Sequence, residues 1–208
     1  RDDLIAYISS KTYAPEDDSL VRMKPEVLME RVDPWHRDYF ESELGVRIVD
    51  GGSVEQFAPH CRYLSGRGMV AIVADYRIAS RHKTTPFECV KDVKSAVRCV
   101  RKNEKLIGID TDRIDAGGGS AGGHVALWTA IEGTPPVSDP AEAPAVKPAV
   151  VFLRSAVTDT SDETGYTPGR FEEHALALSP VHQLDAKMPR VLMFHAEDDD
   201  LVYFQSAV

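Results

Sequence analysis

The sequence predicts an α/β fold with a mostly parallel central sheet flanked by helices. Three features carry that expectation. Runs such as Met69–Ala74, Ala149–Leu153 and Pro189–His195 are apolar without alternation, as strands buried on both faces are. Between runs of this kind lie segments whose apolar residues recur every three or four positions, the spacing of a helix. The two kinds alternate along the chain, the pattern of parallel strands joined by crossover helices.

Composition bounds the rest. With 208 residues the chain is long enough for one domain with a buried core and short for two. Hydrophobic content of 43% and charged content of 27% are those of an ordinary globular protein. A net charge of −9 argues against nucleic acid and anionic membrane surfaces as partners. No apolar run approaches the roughly 20 residues of a membrane span. Cys61, Cys89 and Cys99 leave one thiol unpaired in any scheme and lack metal-ligand spacing, so they read as core thiols. The chain opens at Arg1 rather than methionine, which reads as a processed or trimmed product and leaves the compartment, cytoplasmic or secreted, open.

In chain order, residues 1–45 are polar and broken by Pro15, Pro25 and Pro34, and read as a peripheral arm. Val46–Val49 is a short strand ending in Asp50–Gly51–Gly52–Ser53. Residues 55–66 place Phe57, Ala58, Cys61 and Leu64 at helical spacing. Met69–Ala74, rich in β-branched residues, is expected to be a central parallel strand. From Pro86 to about Leu106, Val90, Val93, Val97 and Val100 mark one face of an amphipathic helix that opens on proline. Gly108–Asp112 turns into the next strand. Residues 133–148 form a Pro- and Ala-rich surface linker, and Ala149–Leu153 a further buried strand. Residues 155–185 lack long periodicity and read as a cap or loop inserted between strands. The final strand runs into Ala196–Glu197–Asp198–Asp199–Asp200.

The chemistry concentrates at Ala116–Gly117–Gly118–Gly119–Ser120–Ala121–Gly122–Gly123–His124. A short apolar segment meets a glycine cluster with a serine at its centre, and a helix-forming segment follows. Gly118, Gly119 and Gly122 around Ser120 fit a nucleophile elbow, a strand-to-helix turn whose tightness strains the serine backbone. Glycines two residues either side of the serine, Gly118 and Gly122, are expected because a Cβ there would collide with the neighbouring strand or helix. Two other readings compete. Ser120 at this place is also a natural helix N-cap. Gly117, Gly119 and Gly122 also spell a dinucleotide fingerprint, which wants an acid about 20 positions on at a strand end. Asp139 and Glu142 lie instead in a proline-rich stretch, so nucleotide binding is set aside.

Together these residues resemble the α/β-hydrolase fold family of esterases and lipases, close to the bacterial carboxylesterases related to hormone-sensitive lipase. The resemblance runs from about Ser53 to Val208. It rests on Val73–Ala74–Asp75–Tyr76–Arg77, Asp112–Arg113–Ile114 with Gly119–Ser120–Ala121–Gly122–Gly123–His124, Ala177–Leu178–Ser179–Pro180, and Phe194–His195 with Asp199 and Val202. It implies that Ser120 is the nucleophile, that the Ala121 N–H is one oxyanion donor, and that Asp199 is the triad acid, with Asp198 and Asp200 as neighbours that fit nearly as well. A histidine activates the serine, and a carboxylate orients that histidine.

Two departures stand out. Where the family has a His-Gly-Gly-Gly stretch completing the oxyanion hole, this chain has Asp50–Gly51–Gly52–Ser53, leaving Gly51 and Gly52 as candidate donors. Chain order in the family is serine, acid, histidine, and no histidine follows Asp199. His195 precedes the acid, and His124 sits one turn along the elbow helix, where a structural role is expected. His60, His82, His174 and His182 fall where the family has no triad member. An incomplete record of a longer enzyme is therefore expected. The resulting expectation is a cofactor-free, metal-free serine hydrolase acting on small carboxylic esters. A catalytically impaired ligand-binding relative and a prolyl-oligopeptidase-like peptidase are the alternatives.

Overall fold

The structure, a computed structural model, describes residues 57–133, 147–161 and 171–204. The expected arm 1–45, the expected strand Val46–Val49, Gly51 and Gly52, and residues 134–146 of the linker lie outside the described residues, as do residues 162–170. The chain divides into two compact units.

Of the described residues, the first unit comprises 57–76, Ser80–His82 and Cys99–Ile109. Its helix α1, Ala58–Ser65, has a proline in its first turn, where a missing N–H costs nothing, and stops at Gly66. The chain then doubles back, with Met69 N–H on the Leu64 carbonyl at 3.2 Å and Gly68 at φ 80. The apolar run 69–74 departs from expectation. Among the described residues it joins no ladder, and its residues are half-buried or exposed rather than buried on both faces. Apolar character marks residues that avoid water, whereas a strand is completed by a neighbour's backbone, which the run itself does not specify.

Helix α2, Pro86–Lys102, is shared between the two units. Thr85 and Glu88 start it as a capping box: the Glu88 carboxylate accepts from the Thr85 N–H at 2.9 Å and from its hydroxyl. Phe87, Val90, Val93 and Ala96 are buried along one stripe, as the periodicity predicts. The expected helix to Leu106 breaks after Lys102 and resumes as one turn, Glu104–Ile107, closed by Gly108 at φ 71.

The second unit holds the sheet. Strands β1 (Ala116–Gly119), β2 (Val150–Arg154) and β3 (Arg190–Phe194) run parallel in the order β1-β2-β3, with Gly118 opposite Leu153 and Leu153 opposite Met193. Helix α3, Ala121–Trp128, leaves β1 at once and covers one face. Val151 and Leu153, both fully buried, pack there against Ala126, Leu127, Ala130 and Ala156. Each such side chain contributes roughly 1.5–3 kcal/mol through burial. A second cluster joins Trp128 to Phe87, Val90, Ile131 and Leu178. With apolar contacts on both sides, α3 has no polar face: every residue from Gly123 to Trp128 is buried. Residues 156–161, from the segment read as a cap or loop, are likewise buried, with Asp159 Oδ1 accepting from the Ser179 hydroxyl at 2.9 Å.

Candidate active site

The site starts from a backbone that cannot relax. Ser120 lies at φ 51, ψ −122, a region that a residue with a side chain occupies only under strain. Four main-chain bonds hold it there. Its N–H is shared between the carbonyls of Arg154 and Ser155, each at 3.1 Å. Its own carbonyl accepts from His124 N–H at 3.1 Å and Val157 N–H at 3.2 Å. Ser120 occupies the N-cap position of α3, yet its hydroxyl makes no cap hydrogen bond. The capping alternative thus loses its physical basis, and the half-buried hydroxyl is left to other partners.

Close approach explains Gly118 and Gly123 and not Gly122. A Cβ on Gly118 would lie 2.4 Å from the carbonyl carbon and oxygen of Gly122. One on Gly123 would lie 2.4 Å from the Ala156 Cβ. At Gly122 a Cβ would meet nothing within 4 Å, so the steric reason expected there fails: the crowding falls one residue later, where the helix crosses β2's exit. Ala121, exposed, is the first residue of α3, and a helix's first N–H groups have no acceptor within the helix. Such a donor, with the helix's N-terminal partial charge behind it, suits a developing oxyanion. Gly51 and Gly52, the other expected donors, lie outside the described residues.

Of the three consecutive aspartates, only Asp199 is half-buried, with a side chain 15% exposed. Its Oδ1 accepts from Val202 N–H at 2.9 Å and Leu201 N–H at 3.1 Å, and the Ser155 hydroxyl donates to the same carboxylate. Burial alone would push its pKa up. The Val202 N–H, the Ser155 hydroxyl, the Leu201 N–H and the charge of nearby His195 outweigh that and hold it below the ordinary aspartate value. Asp198 and Asp200 are exposed.

The two histidines nearest the elbow and the acid are engaged elsewhere. His124 is buried, and its Nε2–H donates to the Leu178 carbonyl at 2.8 Å. Burial depresses its pKa to about 4, so it is neutral near pH 7. His195, with a side chain 2% exposed, donates from Nε2 to the Val202 carbonyl at 2.6 Å and lies 3.6 Å from Asp199 Oδ2. Arg77, from the Asp75–Tyr76–Arg77 motif, forks onto Asp92 of α2, with Nη2 at 2.7 Å from Oδ1 and Nε at 2.9 Å from Oδ2. Arg77 is thus spent on holding α2. Cys61, Cys89 and Cys99 form no disulfide and are half-buried, and burial pushes the Cys61 and Cys89 thiols up to about 11. No group of three or more metal-ligating side chains occurs among the described residues. No helix there is long and apolar enough to cross a membrane.

The BD-FAE family model matches residues 51–140. Among solved structures, a thermophilic esterase from the Planctomycetes species Thermogutta terrifontis, Est2 with butyrate bound, is 34% identical over 76% of this chain and 60% of its own, with a TM-score of 0.67. Esterase 2 of the same organism phosphoramylated by tabun is 38% identical, covering 76% of this chain and 59% of its own, with a TM-score of 0.67. The chain has the α/β-hydrolase fold of these esterases. The same esterase phosphorylated by paraoxon is 38% identical at a TM-score of 0.66, with 58% of its length covered. The chain therefore spans about three-fifths of the length of these esterases. No curated protein sequence matches it.

One residue that matters to this geometry went unread in the sequence. Ser155, just past the end of β2, touches both Ser120 and Asp199. The only signal was positional: residues at the carboxyl ends of parallel strands line the working edge of such sheets.

Proposed function

We propose that the protein is a serine hydrolase of carboxylic esters. Ser120 Oγ attacks the ester carbonyl and loses its proton to a histidine base, which the family's chain order sets after the acid. The carbonyl oxygen becomes an oxyanion received by the Ala121 N–H, with Gly51 or Gly52 as a second donor. The carbon–oxygen bond breaks, the alcohol leaves with the proton, and water resolves the acyl-serine. Asp199 orients the base and stabilises its charged form. The observation carrying this reading is the strained Ser120 backbone with a hydroxyl that caps nothing. Short acyl groups and sensitivity to organophosphates are supported by the similar esterases, one with butyrate bound and one phosphorylated by paraoxon.

The test is covalent. A fluorophosphonate probe applied to the full-length protein should label one site, identified as Ser120 by peptide mass, and Ser120→Ala should remain unlabelled. Labelling that survives Ser120→Ala would remove the nucleophile assignment. Comparing p-nitrophenyl acetate with a peptide anilide distinguishes esterase from peptidase.

A further inference from the structure

The ligands of Asp199 differ in kind. Leu201 and Val202 belong to the aspartate's own turn, and such bonds form in any turn of this shape. The Ser155 hydroxyl comes from a different strand, 44 residues earlier in the chain (199 minus 155). Ser155 also holds an unusual backbone, φ 42 on a residue with a side chain, where glycine would sit without cost. It is pinned on both flanks. Its N–H donates to the Phe194 carbonyl at the end of β3 at 2.8 Å, and its carbonyl accepts the Ser120 N–H at the end of β1 at 3.1 Å. One residue at the end of β2 is thereby bonded to the exits of both neighbouring strands. Strain kept at a residue whose side chain reaches the half-buried Asp199 carboxylate points to a use for that side chain.

We propose that Ser155 is a positioning residue: its hydroxyl fixes the Asp199 carboxylate against the same backbone that holds the Ser120 turn. The inference rests on the ester-hydrolase reading, in which Asp199 orients the base. Without the hydroxyl the carboxylate keeps only bonds from its own turn, and nothing ties that turn's side chain to the nucleophile's backbone. The Ser155 main-chain bonds are untouched by truncating its side chain, so the turn at Ser120 survives the change.

The experiment is a double-mutant cycle in the full-length protein, with p-nitrophenyl acetate as substrate and thermal unfolding as the control. Ser155→Ala should lower kcat roughly ten- to a hundredfold, the range for a hydrogen bond to a charged group, with KM nearly unchanged. In an Asp199→Asn background the same substitution should cost little more, because Ser155 acts through Asp199. Ser155→Gly, which removes the hydroxyl and relieves the backbone, should reproduce the kinetic loss even if Ser155→Ala folds poorly. Wild-type kcat in both Ser155 variants, or equal fold-losses in both backgrounds, would overturn the role of Ser155 and leave the hydrolase reading standing. Full activity in Ser120→Ala or Asp199→Asn would instead overturn that reading, and this inference with it.

Discussion

His124 and Leu178 lie 54 residues apart and are joined by a 2.8 Å hydrogen bond from the ring Nε2 to the main-chain carbonyl. The same carbonyl accepts from Trp128 Nε1 at 3.2 Å, so two side chains of the elbow helix grip one backbone oxygen. The bond requires the ring to carry its proton on Nε2, and burial keeps the ring uncharged.

That pairing makes stability depend on pH. The folded pKa of about 4 lies below the ordinary value of 6.5, so between these limits the unfolded chain binds the extra proton. Stability is full above about 6.5 and falls as pH drops toward 4, by on the order of 3 kcal/mol at most. Urea midpoints measured across this window should decline with acidity, and His124→Gln should flatten the slope while keeping an N–H donor. An equal slope in the variant would exclude His124 as the source.

The glycines around Ser120 should separate by sterics. Gly118→Ala and Gly123→Ala each place a Cβ 2.4 Å from other atoms, and overpacking of this kind costs about 1–3 kcal/mol or more. Gly122→Ala meets nothing within 4 Å and should be neutral, or stabilising by up to about 1 kcal/mol as alanine replaces glycine in a helix. Combining Gly123→Ala with Ala156→Gly should recover part of the loss, since the nearest clash is with the Ala156 Cβ. Thermal midpoints of the four variants decide the matter.

Lys94 is a buried amine with a structural task. It is 2% exposed, and its Nζ donates to the Ile131 carbonyl at 2.8 Å and to that of Gly133, just past the end of α3. Lys94→Met keeps the apolar stem but strips both carbonyls of their donor, at a cost of about 1–3 kcal/mol. Denaturant unfolding should register that loss. A variant as stable as the parent would show that water replaces the amine there.

Among the three aspartates, burial and bonding single out Asp199. Asp199→Asn should lower kcat about a thousand- to ten-thousandfold, the range expected when a triad acid can no longer set the histidine tautomer. Asp198→Asn and Asp200→Asn, changing exposed side chains, should retain near-parental kcat. Steady-state kinetics on p-nitrophenyl acetate provide the comparison, and a large loss at Asp198 or Asp200 would reassign the acid.

Much of this was legible from the residues alone, and each success has a local cause. The stripe Val90–Val93 and the Thr85–Pro86 start specify α2, and a serine among glycines between strand and helix specifies the elbow. These features depend on neighbours a few residues away. The misreadings depend on distant ones. Met69–Ala74 has strand composition but no ladder among the described residues, and the steric need placed at Gly122 belongs to Gly123, because Ala156 arrives from β2.

The sequence by itself determined the helix periodicities, the strained turn at Ser120 and a short set of candidate acids, because torsional preference and hydrophobic spacing act along the chain. Only the tertiary structure decided which aspartate is held, that His124 is spoken for by Leu178, and that Ser155 is bonded to both Asp199 and Ser120. Hydrogen bonds between strand exits join residues dozens of positions apart, and no local pattern encodes which of them will meet.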